Sequence, residues 1–162
     1  MADDDGQWLT TDQTAAWMPL LAVVTWLPSA LDIQLEQDAG ISNYEYGVLA
    51  ALSLAPAHTT RLKDLARDCN STLPRLSKVL DRMTTLGWVC RRPDPEDGRS
   101  TLAHLTAAGW DMVQTTAPGH VARVRELVFS RLTRSQIRQL TTIASTIAAA
   151  VGPDAACASR FK

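Results

Sequence analysis

The first sixty residues contain no lysine and no arginine. Eight acidic residues lie there instead (Asp3, Asp4, Asp5, Asp12, Asp32, Glu36, Asp38 and Glu45), so this part carries −8 and offers a polyanion nothing to bind. Cysteine is scarce as well. Cys69, Cys90 and Cys157 make an odd number without C-x-x-C spacing, which argues against a disulfide framework or a zinc ribbon and predicts reduced thiols. No unbroken apolar run is longer than residues 20–24, far short of a bilayer span, and the acidic start is unlike the basic start of a secretory signal; the expectation is a cytoplasmic protein with no membrane partner. A glycine-rich phosphate loop, a G-x-S-x-G elbow and an H-E-x-x-H pair are all missing, so nothing points to an enzyme. His58, His104 and His120 are scattered without ligand spacing to carboxylates, and no metal or other cofactor is expected.

What is present is sorted along the chain. All sixteen basic residues lie after position 60; against the nine remaining acidic residues they leave that part at +7. Residues 61–105 hold nine positive and six negative charges, a net +3, and this is where a polyanion would dock. At 162 residues the chain is one domain carrying helical extensions, and its 46% hydrophobic content suits an ordinary packed core.

A capping box, Thr10-x-x-Gln13, opens a helical pattern to about Asp38, stopped by Gly40. Pro19 and Pro28 inside it are expected to bend or break it. Trp17, Leu20, Leu21, Val24, Leu27, Leu31 and Leu35 keep to one broad side. Further helices are predicted over residues 42–54 and 60–68. Residues 71–109 then read S-T-L-P-R-L-S-K-V-L-D-R-M-T-T-L-G-W-V-C-R-R-P-D-P-E-D-G-R-S-T-L-A-H-L-T-A-A-G. Leu73, Leu76, Val79, Leu80 and Met83 recur at helical spacing, ended by Gly87 as a C-cap, while the other face carries Ser71, Thr72, Arg75, Ser77, Lys78 and Arg82. Strands over 88–91 and 100–105 flank a turn of Pro, Asp and Gly with an arginine at its tip. Thr106 starts a helix that Pro118-Gly119 is expected to interrupt, and Thr133-x-x-Gln136 opens the last helix, to about Val151.

A helix with a cationic, hydroxylated face followed by a cationic hairpin is the layout of a winged helix-turn-helix, which sets the helix in the major groove of DNA with the hairpin beside it. The fold class expected is mainly α (α+β). Residues 1–40 form an N-terminal dimerisation helix, 41–105 the winged helix-turn-helix, and 106–162 the C-terminal dimerisation helices. The apolar stripes at both ends exceed what a small winged-helix core can cover, and a second copy of the chain is the simplest partner.

The order of elements from Trp8 to about Val151, and above all R-R-P-D-P-E-D-G-R-S followed by L-A-H-L-T-A-A-G, resembles the MarR family of bacterial transcription regulators. The pair Asp97 and Arg99 stands where that family's wing signature has an Asp and an Arg two residues apart, and L-D-R-M-T-T-L-G-W-V (80–89) is similar to its recognition-helix end. The resemblance implies a homodimer on a palindromic operator of double-stranded DNA that represses, or occasionally activates, nearby genes.

Within that frame Arg99 is the first candidate for DNA contact, entering a narrow minor groove with Asp97 orienting it. Arg75 is placed to read guanine, Ser71 and Thr72 to hold phosphate at the helix N-terminus, and Pro74 shares that exposed half. Lys78, Arg82, Arg61, Lys63, Arg91 and Arg92 are candidates for backbone contacts. Many relatives are released from DNA by a small aromatic effector. Trp17, Trp26, Tyr44, Tyr46, Trp110 and His120 are the candidates for lining such a cavity, against plain core packing for each. Two alternatives stay open: a winged-helix module that binds another protein, and a thiol-based redox-responsive regulator using Cys69 or Cys90.

Overall fold

The computed structural model describes residues 8–152; Asp3, Asp4, Asp5 and Cys157 lie outside them. Its elements run α1 (Thr11–Ala39), α2 (Asn43–Leu54), β1 (Thr59–Arg61), α3 (Leu62–Asp68), α4 (Leu73–Thr85), β2 (Val89–Pro93), β3 (Thr101–Leu105), α5 (Ala107–Val124) and α6 (Arg134–Val151). This is the mainly helical α+β fold expected, with one small antiparallel sheet in the order β1-β3-β2.

Local chemistry sets most helix ends. Thr10 with Gln13, Ser42 with Glu45 and Thr133 with Gln136 form reciprocal capping boxes in which each hydroxyl accepts the N3 amide and each N3 side chain accepts the cap amide. Gly40 closes α1 in the left-handed conformation, φ +64°, donating its N–H to Glu36.

Two expected interruptions are absent. α1 runs unbroken through Pro19 and Pro28, and α5 through Pro118 and Gly119. Each proline is exposed and forgoes one backbone bond without ending its helix, while α1 and α5 pack along each other and on α2. The chain changes course later, where Arg125–Phe129 widens into a π-helical turn ahead of Thr133. The third predicted helix begins later than expected: Thr59–Arg61 is a strand, paired with β3 through Thr59↔His104, Thr60↔Ala103 and Arg61↔Leu102. The wing strands sit at Val89–Pro93 and Thr101–Leu105, slightly displaced from the predicted ranges.

The core sits in the winged-helix lobe. Ile41, Val48, Leu49, Leu52, Leu65, Leu76, Leu80, Met83 and Val89 are fully buried, α1 adds only Leu35, and α6 adds nothing. Leu73, read as part of the apolar face of α4, is exposed at its N-terminus. The terminal helices leave Trp17, Met18, Val24, Trp26, Leu140, Ile143 and Ile147 in the open. α1 is long and apolar enough to cross a membrane by length and composition, which the short unbroken apolar run did not suggest, since the isolated Thr, Ser and Pro residues do not make it polar.

Candidate nucleic-acid interface

α3 and α4 are joined by a tight turn. Asn70 takes a left-handed conformation (φ +45°), which its short polar side chain tolerates, and Ser71 N–H closes the turn on the Ala66 carbonyl at 2.8 Å. Thr72 then caps α4, its hydroxyl accepting the Arg75 N–H, and Pro74 stands in the first turn, where a missing donor costs nothing. Thr72, Leu73, Pro74, Arg75 and Lys78 are all exposed, while Leu76, Leu80 and Met83 on the opposite face are fully buried.

The hairpin tip is held by its own carboxylates. Asp94 is 5% exposed and accepts the Glu96 N–H at 3.0 Å and the Arg61 Nε–H at 2.6 Å. The Glu96 amide first, then Arg61, hold its carboxyl below the usual range, and Asp94 in turn raises the Arg61 guanidinium. Asp97 accepts the Ser100 hydroxyl at 2.8 Å and the Arg99 backbone N–H at 3.1 Å, and those two bonds, Ser100 first, lower its own carboxyl. Asp97 therefore braces the turn through the Arg99 backbone and not through its guanidinium. With both carboxylates committed to these bonds, the exposed Arg99 side chain has no hydrogen bond or ion pair among the described residues.

Several predicted residues converge. Arg61 and Lys63 at the start of α3, Pro74 and Ser77 on α4, and Arg99 with Ser100 on the wing line one cleft of about 510 Å³. Lys63, Lys78 and Arg92 are exposed and, like Arg99, form no ion pair among the described residues.

Three other arginines have intramolecular work. Arg82 pairs with Glu45 and donates to the Gly40 carbonyl at 3.1 Å, tying α4 to the α1–α2 junction. Burial opposes the Glu45 charge, but the Ser42 N–H, Arg82 and Ser42 hydroxyl bonds outweigh it and leave the carboxyl lowered. Arg91 reaches from β2 to the Ser77 carbonyl at 3.0 Å and to Asp81 at 2.5 Å, fastening the wing to α4. The Arg75 guanidinium lies over the Tyr44 ring, 4.3 Å from its centroid. Glu45, Asp94 and Tyr44 were not foreseen in these roles; their partners lie 37, 33 and 31 residues away in sequence, beyond any local pattern.

The six aromatic candidates do not share one cavity. Tyr46 stacks on His120 at 4.6 Å and Trp110 on His58 at 4.9 Å. Trp17 and Trp26 are exposed along α1, and Tyr44 alone borders a separate cavity of about 630 Å³ between α1, α2 and the α3–α4 turn. Cys69 borders that cavity and Cys90 is exposed on β2; neither is in a disulfide among the described residues.

The profile of the MarR family matches residues 39–100, the stretch from the end of α1 to the wing tip. The structure is similar to that of Sco3205, a MarR family transcriptional regulator from Streptomyces coelicolor solved in complex with DNA, with a TM-score of 0.85 and 37% identity over 93% of this chain and 94% of that one. AbsC, another MarR family regulator from Streptomyces coelicolor, superposes with a TM-score of 0.81 and 31% identity over 88% of this chain and 95% of that one. The HTH-type transcriptional repressor YetL of Bacillus subtilis (strain 168) is 29% identical over 85 residues, 52% of this chain and about half (51%) of that repressor's length. Identity above 30% across almost the full length of two such regulators, on the same arrangement of capped helix and braced wing, means that the chain belongs to the MarR family of transcriptional regulators.

Proposed function

We propose that the chain is a sequence-specific DNA-binding regulator, a repressor that occupies a palindromic operator as a homodimer. The observation that carries this reading is the cleft shared by α3, α4 and the wing. There Arg61, Lys63 and Arg99 stand beside the hydroxyl groups of Ser77 and Ser100, with Leu62, Leu73 and Pro74 completing the wall, a combination suited to a phosphodiester backbone and its sugars. Lys63 and Arg92 hold phosphates, Lys78 and the α4 N-terminus with Ser71 and Thr72 face the major groove, and Arg99 enters the minor groove. Arg91, Arg82 and Asp97 act as braces that keep α4 and the wing in register. Sco3205 being solved in complex with DNA supports the same assignment.

The second copy covers what a single chain leaves bare. An apolar groove of about 550 Å³ between Trp26 and Leu27 of α1 and Leu127, Leu132 and Leu140 near α6 continues into exposed Ile143 and Ile147. Residues 1–40 and 106–162 thus form the dimerisation part, and 41–105 the reading head. The test is a mobility-shift titration with duplex from the chain's own upstream region. The wild-type protein shifts it in a salt-sensitive way and Arg99→Ala weakens binding by roughly ten-fold or more while sedimentation still finds a dimer; equal affinity of the two proteins removes the assignment.

A further inference from the structure

The aromatic ring that meets Arg75 is pinned from both sides. Tyr44 lies in the first turn of α2. Immediately before it, the Asn43 N–H donates to Asp32 of α1 at 2.7 Å, and immediately after it, Glu45 pairs with Arg82 of α4. The ring thus stands on a base shared by α1 and α4, and the Arg75 guanidinium lies over it with its central carbon 4.3 Å from the centroid. Arg82 and Arg91, the other two arginines tied to this part of the molecule, spend their N–H donors on Glu45, Asp81 and backbone carbonyls. The Arg75 guanidinium makes no hydrogen bond or ion pair among the described residues. A ring face can hold a guanidinium through its charge and by stacking, which leaves the planar fork of donors for another acceptor. Arg75 is exposed at the start of α4, next to exposed Pro74 and one turn before exposed Lys78. The Tyr44 hydroxyl is buried without a hydrogen-bond partner, so the contact depends on the ring and not on the hydroxyl.

We propose that Tyr44 is a positioning residue for base recognition: its ring holds the Arg75 guanidinium ready for the O6 and N7 acceptors of a guanine in the major groove. The inference rests on the DNA reading above and adds to it a residue of α2, outside the recognition helix. A free arginine must surrender its rotational freedom to form two parallel hydrogen bonds, whereas one already held on a ring has less to lose. That advantage is realised only where the guanine is present. Tyr44 therefore serves discrimination between sequences, while the phosphate-holding Lys63 and Arg92 serve general affinity.

The test is a mobility-shift titration of the full chain on the duplex from its own upstream region and on a set of duplexes with each G·C pair changed in turn to A·T. Wild type loses about five-fold or more in affinity at the pair that Arg75 reads. Arg75→Ala, indifferent to that one change, identifies the pair. Tyr44→Leu reduces the discrimination at it by about two- to five-fold, the size of an exposed cation–π contact. The same variant binds the changed duplex as wild type does, with the same salt slope, which also shows that it is folded. Tyr44→Phe retains full discrimination, since the hydroxyl has no partner to lose. Full discrimination by Tyr44→Leu overturns the proposal. So do equal weakening on both duplexes, the mark of a purely structural residue, tighter operator binding by Tyr44→Leu, and an Arg75→Ala variant that still senses every pair. A wild-type protein that shifts none of the duplexes refutes the DNA reading itself, an outcome distinct from a wild type that discriminates and a Tyr44→Leu variant that does so equally.

Discussion

Gly109 is the position at which a single methyl group has the clearest expected cost. It lies in the first turn of α5, where an added Cβ would stand 2.1 Å from the Trp88 carbonyl oxygen and 2.6 Å from Leu105 Cδ1. Leu105 can rotate; the carbonyl cannot easily retreat, because it accepts the Thr106 N–H at 3.0 Å while the Thr106 hydroxyl binds the neighbouring Gly87 carbonyl at 2.6 Å. The L-T-A-A-G ending of the wing is thus a steric device that seats α5 on the first wing strand. Overpacking of this kind costs about 1–3 kcal/mol, and losing the Thr106 bond adds about 1 kcal/mol. Alanine recovers about 1 kcal/mol of helix propensity over glycine, so the clash wins and Gly109→Ala should destabilise by about 2 kcal/mol. For a chain of this size that lowers Tm by roughly 4–8 °C. Gly47 is the matched control: it is inside α2, exposed, and a Cβ there meets nothing within 4 Å. Gly47→Ala should therefore stabilise by about 0.5–1 kcal/mol. Thermal and urea unfolding at one fixed protein concentration reads both. Equal stability of Gly109→Ala and wild type would refute the argument that this approach is rigid.

Four more outcomes follow from the same geometry. Glu45→Gln removes the charge paired with Arg82 and should cost about 1–3 kcal/mol, since it leaves the arginine's partner group half-satisfied. Because the Glu45 carboxyl is lowered in the fold, its contribution is present above the ordinary glutamate range near pH 4.5 and is lost as pH falls below it; the variant's acid unfolding curve should lack that slope. Burial lowers the His120 imidazole, so stability should fall as pH drops below about 6.5 and His120→Phe should flatten that limb; an unchanged slope in the variant contradicts the assignment. Glu96, 85% exposed beside the wing tip, should repel DNA, and Glu96→Gln should tighten operator binding in a gel-shift titration. Ile143→Asp on the bare face of α6 should shift sedimentation from dimer to monomer.

How far the sequence reveals the fold depends on the range of each interaction. The capping boxes Thr10–Gln13 and Thr133–Gln136 and the Gly40 stop depend on residues within four positions of one another and were legible, whereas the equally local Ser42–Glu45 box was passed over. So was the apolar face of α4, where Leu76, Leu80 and Met83 are indeed buried. The strand Thr59–Arg61 was not legible, because three residues become a strand only when β3 lies beside them. Prolines 19, 28 and 118 argue locally for a break, yet each is exposed and neither helix ends there. Within the candidate site, composition marks the cations but not their company. Nothing near Arg82 announces Glu45, and nothing near Arg75 announces Tyr44. The unengaged cations Lys63, Lys78, Arg92 and Arg99 emerge only by subtracting the braces from the list of basic residues.

The most direct measurement of the central claim is the salt dependence of operator binding by wild type and Lys63→Ala. Lys63 is exposed, borders the cationic cleft and has no ion partner among the described residues, so its loss should leave the fold intact. Each phosphate contact contributes a slope of about 0.9 in log affinity against log salt. A symmetric dimer loses the contact twice, and the account predicts a slope shallower by about 1.8. An unchanged slope would contradict phosphate contact at the cleft, and a change of only about 0.9 would contradict the paired reading heads.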